Sequence, residues 1–180
     1  MPGAAPGVAK EDNQNPMRPR PFEPVPDAPD SAYVVDVASG QRWHRTHART
    51  LYADTDRSGV VYHSNYLRYF EMGRAALMRE VGFPYREVEE SGFVYPIVDL
   101  AVAFHHPLYY DDPMWIHTRP VELERVKVTF NYTITHGETG ALVCTGHTRH
   151  CALNGDGKVT AVDPHTLEMW NAFQDGEGAQ

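Results

Sequence analysis

A carboxylate and an imidazole lie seven residues apart, just before a segment with helical periodicity, and this pairing suits acyl-transfer chemistry. Asp56 opens the tetrapeptide 56–59, which fits a type I turn with Asp at the first position and Gly at the fourth. His63 lies where the helix is expected to begin. The first N–H groups of a helix are unpaired and lie at the positive end of its dipole, so they can stabilise a developing oxyanion. A carboxylate that faces them predicts a site where a carbonyl carbon is attacked.

On this pattern alone, structural roles explain the acidic residues as well. An Asp at the first position of a turn commonly accepts a hydrogen bond from the turn's own backbone, which would account for Asp56. Asp54 precedes it by two residues and is expected to be a structural hydrogen-bond acceptor. Glu71 and Arg74 are three residues apart on the expected helix, which predicts an ordinary ion pair.

The helix that positions these residues is predicted from apolar residues at helical spacing. Ser64 or His63 is expected to cap its start, and the helix is expected to extend over about 16 residues, or about 24 Å. Gly82 follows its end, where a residue in the left-handed region commonly closes a helix. The small residues Gly73 and Ala76 allow another backbone to approach closely. A short second helix is expected at 84–90.

The rest of the chain has strand patterns. Residues 126–135 alternate cleanly between apolar and polar side chains, which predicts a strand with one buried face. Further strands are expected at 43–53, 93–106, 114–124 and 141–153, and a terminal helix at 164–173. One long helix against an antiparallel sheet is an α+β arrangement. The open edges of such a sheet favour dimerisation.

Composition divides the chain into three parts. Eight of the 14 prolines fall within the first 30 residues, and apolar residues there are sparse. Residues 1–39 are therefore predicted to be a largely disordered tail, although 33–35 could pair locally. Residues 40–175 are predicted to form one domain, and 176–180 a C-terminal tail.

The bulk properties exclude several classes of function. The net charge is −8 without a basic stripe, which argues against nucleic-acid binding. No apolar run is long enough to span a membrane, and the N-terminus lacks the apolar region of a secretory signal, so a cytoplasmic location is expected. Cys144 and Cys151 lie roughly 23 Å apart if they share a strand, which predicts two free thiols.

The ten histidines lack the spacing of known metal sites, so no metal is expected. His147 and His150 differ by three positions, which on a strand directs them to opposite faces. The neighbours His105 and His106 are expected to diverge in the same way.

Residues 52–74 closely resemble the active-site segment of the 4-hydroxybenzoyl-CoA thioesterase family, in particular its YbgC-type acyl-CoA thioesterases. That segment has the pattern D-T-D-x-x-G-V-V-Y-H-x-N-Y-x-x-x-F-E-x-x-R. The positions that match without a gap are Asp54, Thr55, Asp56, Gly59, Val60, Val61, Tyr62, His63, Asn65, Tyr66, Phe70, Glu71 and Arg74. The resemblance implies a hotdog fold over residues 40–175, in which an antiparallel sheet wraps one long central helix.

The resemblance also implies roles within this segment. Asp56 is expected to attack the thioester carbonyl or to activate the water that does so, while the backbone N–H of His63 holds the carbonyl oxygen. The side chains of His63 and Tyr62 are expected to complete the catalytic group by shaping the acyl pocket or orienting water. The residues expected to bind substrate or to fix its loop are Gly59, Val60, Val61 and Asn65.

The expected substrate is an acyl-CoA, with an acyl-carrier-protein thioester as the alternative, and the expected assembly is a homodimer or homotetramer without a cofactor. Candidate cations for the CoA phosphates are Arg57, Arg68, Arg119, Arg125 and Lys127. Two rival functions remain open. A hydratase or dehydratase acting on a 2-enoyl thioester would use Asp56 together with His63. A non-catalytic acyl-thioester binding module would keep the fold and the pocket without turnover.

Overall fold

The computed structural model describes residues 22–25 and 32–175, which form seven strands, three α-helices and one short 3-10 turn. The helices are α1 Asn65–Glu80, α2 Tyr85–Glu90 and α3 Pro164–Asp175, and the 3-10 turn is Tyr52–Asp54. The strands are β1 Phe22–Pro24, β2 Tyr33–Asp36, β3 Arg42–Arg49, β4 Ile97–Phe104, β5 Pro113–Leu123, β6 Lys127–His136 and β7 Leu142–Cys151.

The strands form one sheet in the order β1-β2-β3-β5-β6-β7-β4, and every neighbouring pair is antiparallel. Helix α1 packs across β5, β3 and β6 on one face of this sheet. Strand β4 follows the helices in the chain but pairs with β7, so it lies at the edge of the sheet. The predicted α+β arrangement of one long helix on an antiparallel sheet is confirmed.

The core lies between α1 and the sheet. The apolar residues of β6 are buried as their alternation predicts, and the ring of Tyr132 stacks on that of Phe70 from α1 with centroids 4.4 Å apart. Gly73 permits the close contact between helix and sheet, because a Cβ atom there would lie 2.6 Å from Ile116 Cγ2 and closer still to Thr118 Oγ1. A close approach at Gly73 is therefore present, but it is made by side chains of β5 and not by another backbone as expected.

Helix α1 ends at the glycine that the sequence indicates. Gly82 has a φ of 85°, its N–H donates to the Arg79 carbonyl at 3.1 Å, and the Phe83 N–H donates to the Met78 carbonyl at 2.9 Å. These two bonds form the Schellman motif, which satisfies carbonyls that the helix itself leaves unpaired.

A buried hydrogen-bond chain links the sheet to the segment before β4. His150 Nδ1 lies 3.0 Å from the Tyr95 carbonyl and Nε2 lies 2.9 Å from Thr148 Oγ1, which is 2.8 Å from the Tyr132 hydroxyl. A carbonyl can only accept, so Nδ1 donates, Thr148 donates to Nε2, and Tyr132 donates to Thr148. Burial lowers the pKa of His150 to about 4, so the chain contains a neutral imidazole at pH 7.

The predicted disorder of residues 1–39 is wrong for β1, whereas β2 agrees with the local pairing that the sequence allows at 33–35. Strand β2 pairs with β3, and its Val34 is only 2% exposed. Phe22 from β1 stacks on His117 with ring centroids 3.8 Å apart. Pairing with an existing edge satisfies backbone groups that this segment could not satisfy alone, and local composition does not reveal such an edge. Residues 1–21, 26–31 and 176–180 lie outside the described residues.

The two cysteines are free thiols, as the sequence predicts. Cys144 and Cys151 are both on β7 and buried, and burial raises the pKa of Cys144 to about 12. The predicted Glu71–Arg74 ion pair is wrong, since among the described residues no such pair forms and Arg74 lies over the Tyr85 ring at 5.1 Å. Within the described part of the chain, every helix is too short or too polar to cross a membrane.

Gly73→Ala is expected to lower the free energy of unfolding by about 1–3 kcal/mol, because the added methyl group overpacks the contact with β5. The same change in an exposed helix would stabilise by about 1 kcal/mol. The matched control is Gly155→Ala, where the nearest atom to an added Cβ is Gly92 O at 3.7 Å. Urea unfolding of both variants tests the expectation, and equal stability of the two would contradict it.

Candidate active site

The segment between β3 and α1 forms a small hairpin that presents Asp56. The Gly59 N–H donates to the Asp56 carbonyl at 2.9 Å, and the Asp56 N–H donates to the Val60 carbonyl at 2.9 Å. Thr55 and Val61 are bridged at the base, and Gly59 has a φ of 80°. The predicted turn at 56–59 is confirmed, with a glycine where the backbone requires a positive φ.

The side chain of Asp56 is exposed and partly engaged in the turn. Its Oδ1 accepts a hydrogen bond from the Ser58 N–H at 2.7 Å, so the turn-closing role inferred from the pattern is present. Within residues 22–25 and 32–175, Oδ2 has no hydrogen-bond partner. One carboxylate oxygen is thus oriented by the backbone while the other is open to a ligand.

A cleft of about 340 Å³ lies beside this carboxylate and joins the hairpin to α1 and to the end of β4. Its lining residues are Asp56, Val60, Val61, His63, Tyr66, Phe104, His105, His106 and Pro107. Four of the residues proposed from the sequence therefore meet in one cleft. Gly59 lies at the exposed hairpin tip, and Tyr62 is 43% exposed with its ring 4.2 Å from that of His63, so neither lines the cleft.

Ser64 occupies the cap position of α1, which is one of the two caps that the sequence indicates. His63 and Ser64 lie in a turn, and α1 starts at Asn65, whose N–H donates to the Tyr62 carbonyl at 2.9 Å. The Ser64 side chain makes no capping bond. No acceptor for the His63 N–H exists among the described residues, so this donor is free beside the helix terminus.

Asp54 fixes the hairpin against the helix. It is 1% exposed; Oδ2 accepts from the Leu51 N–H at 3.0 Å and the Tyr69 hydroxyl at 2.8 Å, and Oδ1 accepts from Arg68 at 2.8 Å. Burial alone raises the pKa of Asp54, but these hydrogen bonds outweigh it and lower the pKa below its usual value. The expected structural role of Asp54 is confirmed.

The backbone carbonyl of Asp54 completes the junction. It accepts from the Tyr62 N–H at 2.8 Å and from Asn65 Nδ2 at 2.8 Å. Of the two roles expected for Asn65, fixing the loop and binding substrate, this hydrogen bond supports the first. Asn65 does not line the cleft. Contact between Asn65 and a substrate stays a prediction.

Five residues of the cleft were not among the proposed site residues: Tyr66, Phe104, His105, His106 and Pro107. His105 and His106 were expected to diverge, but both line the cleft, and the N–H groups of both donate to the Val143 carbonyl at 2.8 and 3.2 Å. This shared acceptor marks a β-bulge, which breaks the strand alternation on which the expectation rested. In the described part of the chain, no three His, Cys, Asp or Glu side chains are placed to hold a metal ion.

A comparison with known protein families covers the hairpin, α1 and the residues that line the cleft. A sequence model of the thioesterase-like superfamily matches residues 50–169, from the hairpin to α3. The chain belongs to the thioesterase-like superfamily. This membership confirms the resemblance seen in residues 52–74 and the predicted enzyme class, a thioester hydrolase.

Individual relatives agree with this assignment. The chain is 30% identical over 128 residues to a 1,4-dihydroxy-2-naphthoyl-CoA hydrolase of Thermosynechococcus vestitus, covering 70% of this chain and 87% of that protein. It is 27% identical over 94 residues to the acyl-CoA thioester hydrolase YbgC of Escherichia coli O6:H1, covering 52% of this chain and 70% of YbgC. The DHNA-CoA thioesterase structure from Staphylococcus aureus has a TM-score of 0.69 at 28% identity, covering 76% of this chain and 91% of that one. The predicted hotdog fold is confirmed.

Asp54→Asn is expected to lower the free energy of unfolding by about 2 kcal/mol, because an amide cannot accept from all three donors around that buried position. Asp56→Asn is the matched control and is expected to change it by less than about 0.5 kcal/mol, since the side chain is exposed and Asn serves equally well in the turn. Urea unfolding of both proteins checks this. A similar loss of unfolding free energy in the two variants would contradict the role of Asp54 as the anchor of the hairpin.

Proposed function

We propose that this protein hydrolyses acyl-CoA thioesters to a carboxylic acid and CoA, with Asp56 as nucleophile or general base. The observation that supports the proposal is the shared cleft: its lining includes Asp56, which has one carboxylate oxygen without a described partner, and His63, whose N–H has no described acceptor. The relatives named as acyl-CoA and aryl-CoA hydrolases support CoA as the thiol.

The Asp56 carboxylate and the His63 N–H have separate roles in the proposed reaction. The His63 N–H donates to the carbonyl oxygen of the thioester, where negative charge develops as the tetrahedral intermediate forms. In the nucleophilic route, an Asp56 oxygen bonds to the carbonyl carbon, the C–S bond breaks, and CoA leaves as a thiolate; water then cleaves the resulting anhydride. In the general-base route, Asp56 takes a proton from the water whose oxygen attacks. Because a thiolate is a good leaving group, one carboxylate suffices in either route.

The acyl group is proposed to lie against the apolar wall of the cleft. Tyr66 and Phe104 meet edge to face with ring centroids 5.1 Å apart, and Val60 and Val61 lie beside them. Burial raises the pKa of Tyr66 to about 12, so its hydroxyl stays protonated at neutral pH and does not compete with Asp56 as a base. The side chains of His63 and Tyr62 are proposed to flank the thioester.

Asp56→Asn is expected to lower kcat/KM for a good acyl-CoA substrate by on the order of 100-fold or more, because the amide is neither a nucleophile nor a base. Release of free thiol measures this across a panel of acyl-CoA substrates. Asp156→Asn, which alters an exposed turn carboxylate outside the cleft, is the control and should retain activity. Unchanged turnover in the Asp56 variant would contradict the proposed role of Asp56.

Single turnover in oxygen-18 water separates the two routes. If Asp56 is the nucleophile, hydrolysis of the anhydride can leave label in its carboxylate, which mass spectrometry of the peptide detects. If Asp56 is the general base, the label enters only the product acid.

We also propose that two copies associate through β4. Four apolar side chains of this edge strand are more than 40% exposed: Ile97, Val98, Leu100 and Phe104. Pairing of two β4 edges would bury them and satisfy the unpaired edge. Because Phe104 also lines the cleft, the partner copy would lie directly beside the substrate.

Leu100→Lys is expected to convert the dimer to a monomer, because a charge at the centre of the paired edge would be desolvated. Light scattering coupled to size exclusion measures the mass. Val159→Lys places the same charge at an apolar position that is 62% exposed and outside β4, and it should stay dimeric. An unchanged mass for the Leu100 variant would contradict the β4 interface.

A further inference from the structure

Two consecutive residues that follow β4, His105 and His106, line the same cleft. Regular pairing with β7 stops at Phe104 opposite Cys144, and then His105 and His106 both donate to the Val143 carbonyl. A bulge of this kind re-aims a side chain that strand alternation would turn away, and bulges are common next to active sites. Pro107 follows His106, and the residue before a proline is disfavoured from the helical region, which limits the conformations open to the bulge.

Apart from Asp56 and His63, the residues that line the cleft beside the two imidazoles are mostly apolar. Around them lie Val60, Tyr66, Phe104 and Pro107, and the hydroxyl of Tyr66 is engaged by the backbone of Leu108. Neither imidazole makes a hydrogen bond or an ion pair with any described side chain, and both are exposed. An imidazole can donate through one nitrogen and accept at the other, so each ring offers a ligand unfilled hydrogen-bonding capacity.

We infer that His105 and His106 are specificity-determining residues that select acyl groups carrying a hydroxyl or similar hydrogen-bonding substituent. This inference rests on the proposed thioesterase function, because it takes the same cleft as the acyl site. The physical reason is differential binding. A hydroxylated acyl group gains a hydrogen bond in the cleft, whereas the unsubstituted analogue covers the imidazoles without replacing the water bound to them. Because the histidines are exposed, the preference should be modest, about tenfold rather than the much larger factors of fully buried polar sites.

The experiment compares matched substrate pairs on the purified full chain. The pairs are 3-hydroxybutyryl-CoA with butyryl-CoA, and 4-hydroxybenzoyl-CoA with benzoyl-CoA. The measured quantity is the ratio of kcat/KM for the hydroxylated substrate to that for its unsubstituted partner. The wild-type ratio is expected to be about 10 for at least one pair.

The variants separate hydrogen bonding from shape. The double change His105→Phe with His106→Phe keeps planar rings and is expected to bring the ratio within about twofold of unity while the unsubstituted substrate is still hydrolysed. The double change to Asn restores a donor and an acceptor and is expected to recover a preference. His47→Phe alters an exposed histidine on β3 outside the cleft and should leave the ratio unchanged.

Each outcome has a defined meaning. Equal rates within both pairs in the wild type, or a preference that persists in the Phe variant, would overturn the inference while leaving the thioesterase proposal intact. Absence of hydrolysis of any thioester by the wild type would overturn the proposed function and the inference with it. Thermal unfolding of each variant identifies loss of fold, and in that event the Asn variant carries the test.

Discussion

The burial of one ionised carboxylate, that of Asp54, fixes the geometry on which the site depends. Moving a charge out of water is costly, and here three donors offset the cost by satisfying both oxygens. Two of those donors come from α1 and one from the segment before the hairpin. The same residue's carbonyl holds the Tyr62 N–H and the Asn65 amide. Loss of these contacts would remove the hydrogen bonds that position the hairpin relative to the start of α1.

Asp54 and Asp56 are only two residues apart in the sequence, but their side chains lie in different environments. Asp54 is buried with every oxygen engaged, so it has no capacity left for a substrate. Asp56 is exposed, accepts a hydrogen bond from one backbone N–H, and keeps one oxygen without a partner among the described residues. Structural anchoring therefore falls to Asp54, which leaves Asp56 available for the proposed reaction.

What the sequence could predict was set by local patterns. The alternation in β6, the periodicity of α1 and the glycines at 59 and 82 each report a backbone state that neighbouring residues determine. The missed features depend on distant partners. The bulge at His105 requires the Val143 carbonyl on another strand, β1 requires the edge of β2, and Arg74 prefers the ring of Tyr85 to the carboxylate one helical turn away. The family pattern identified the hairpin correctly because its residues are contiguous.

The two edges of the sheet differ in ways that favour association at one of them. Beyond β3 the sheet is extended by β2 and β1, and the outermost of these is only three residues long and ends in Pro24, which has no N–H to donate. Short, proline-bearing edge strands resist pairing with other chains. The opposite edge is β4, eight residues long with exposed apolar side chains. Because Phe104 at the end of β4 lines the cleft, a chain that paired with β4 would lie next to the proposed substrate site, and the proposed assembly and the proposed reaction would share one strand.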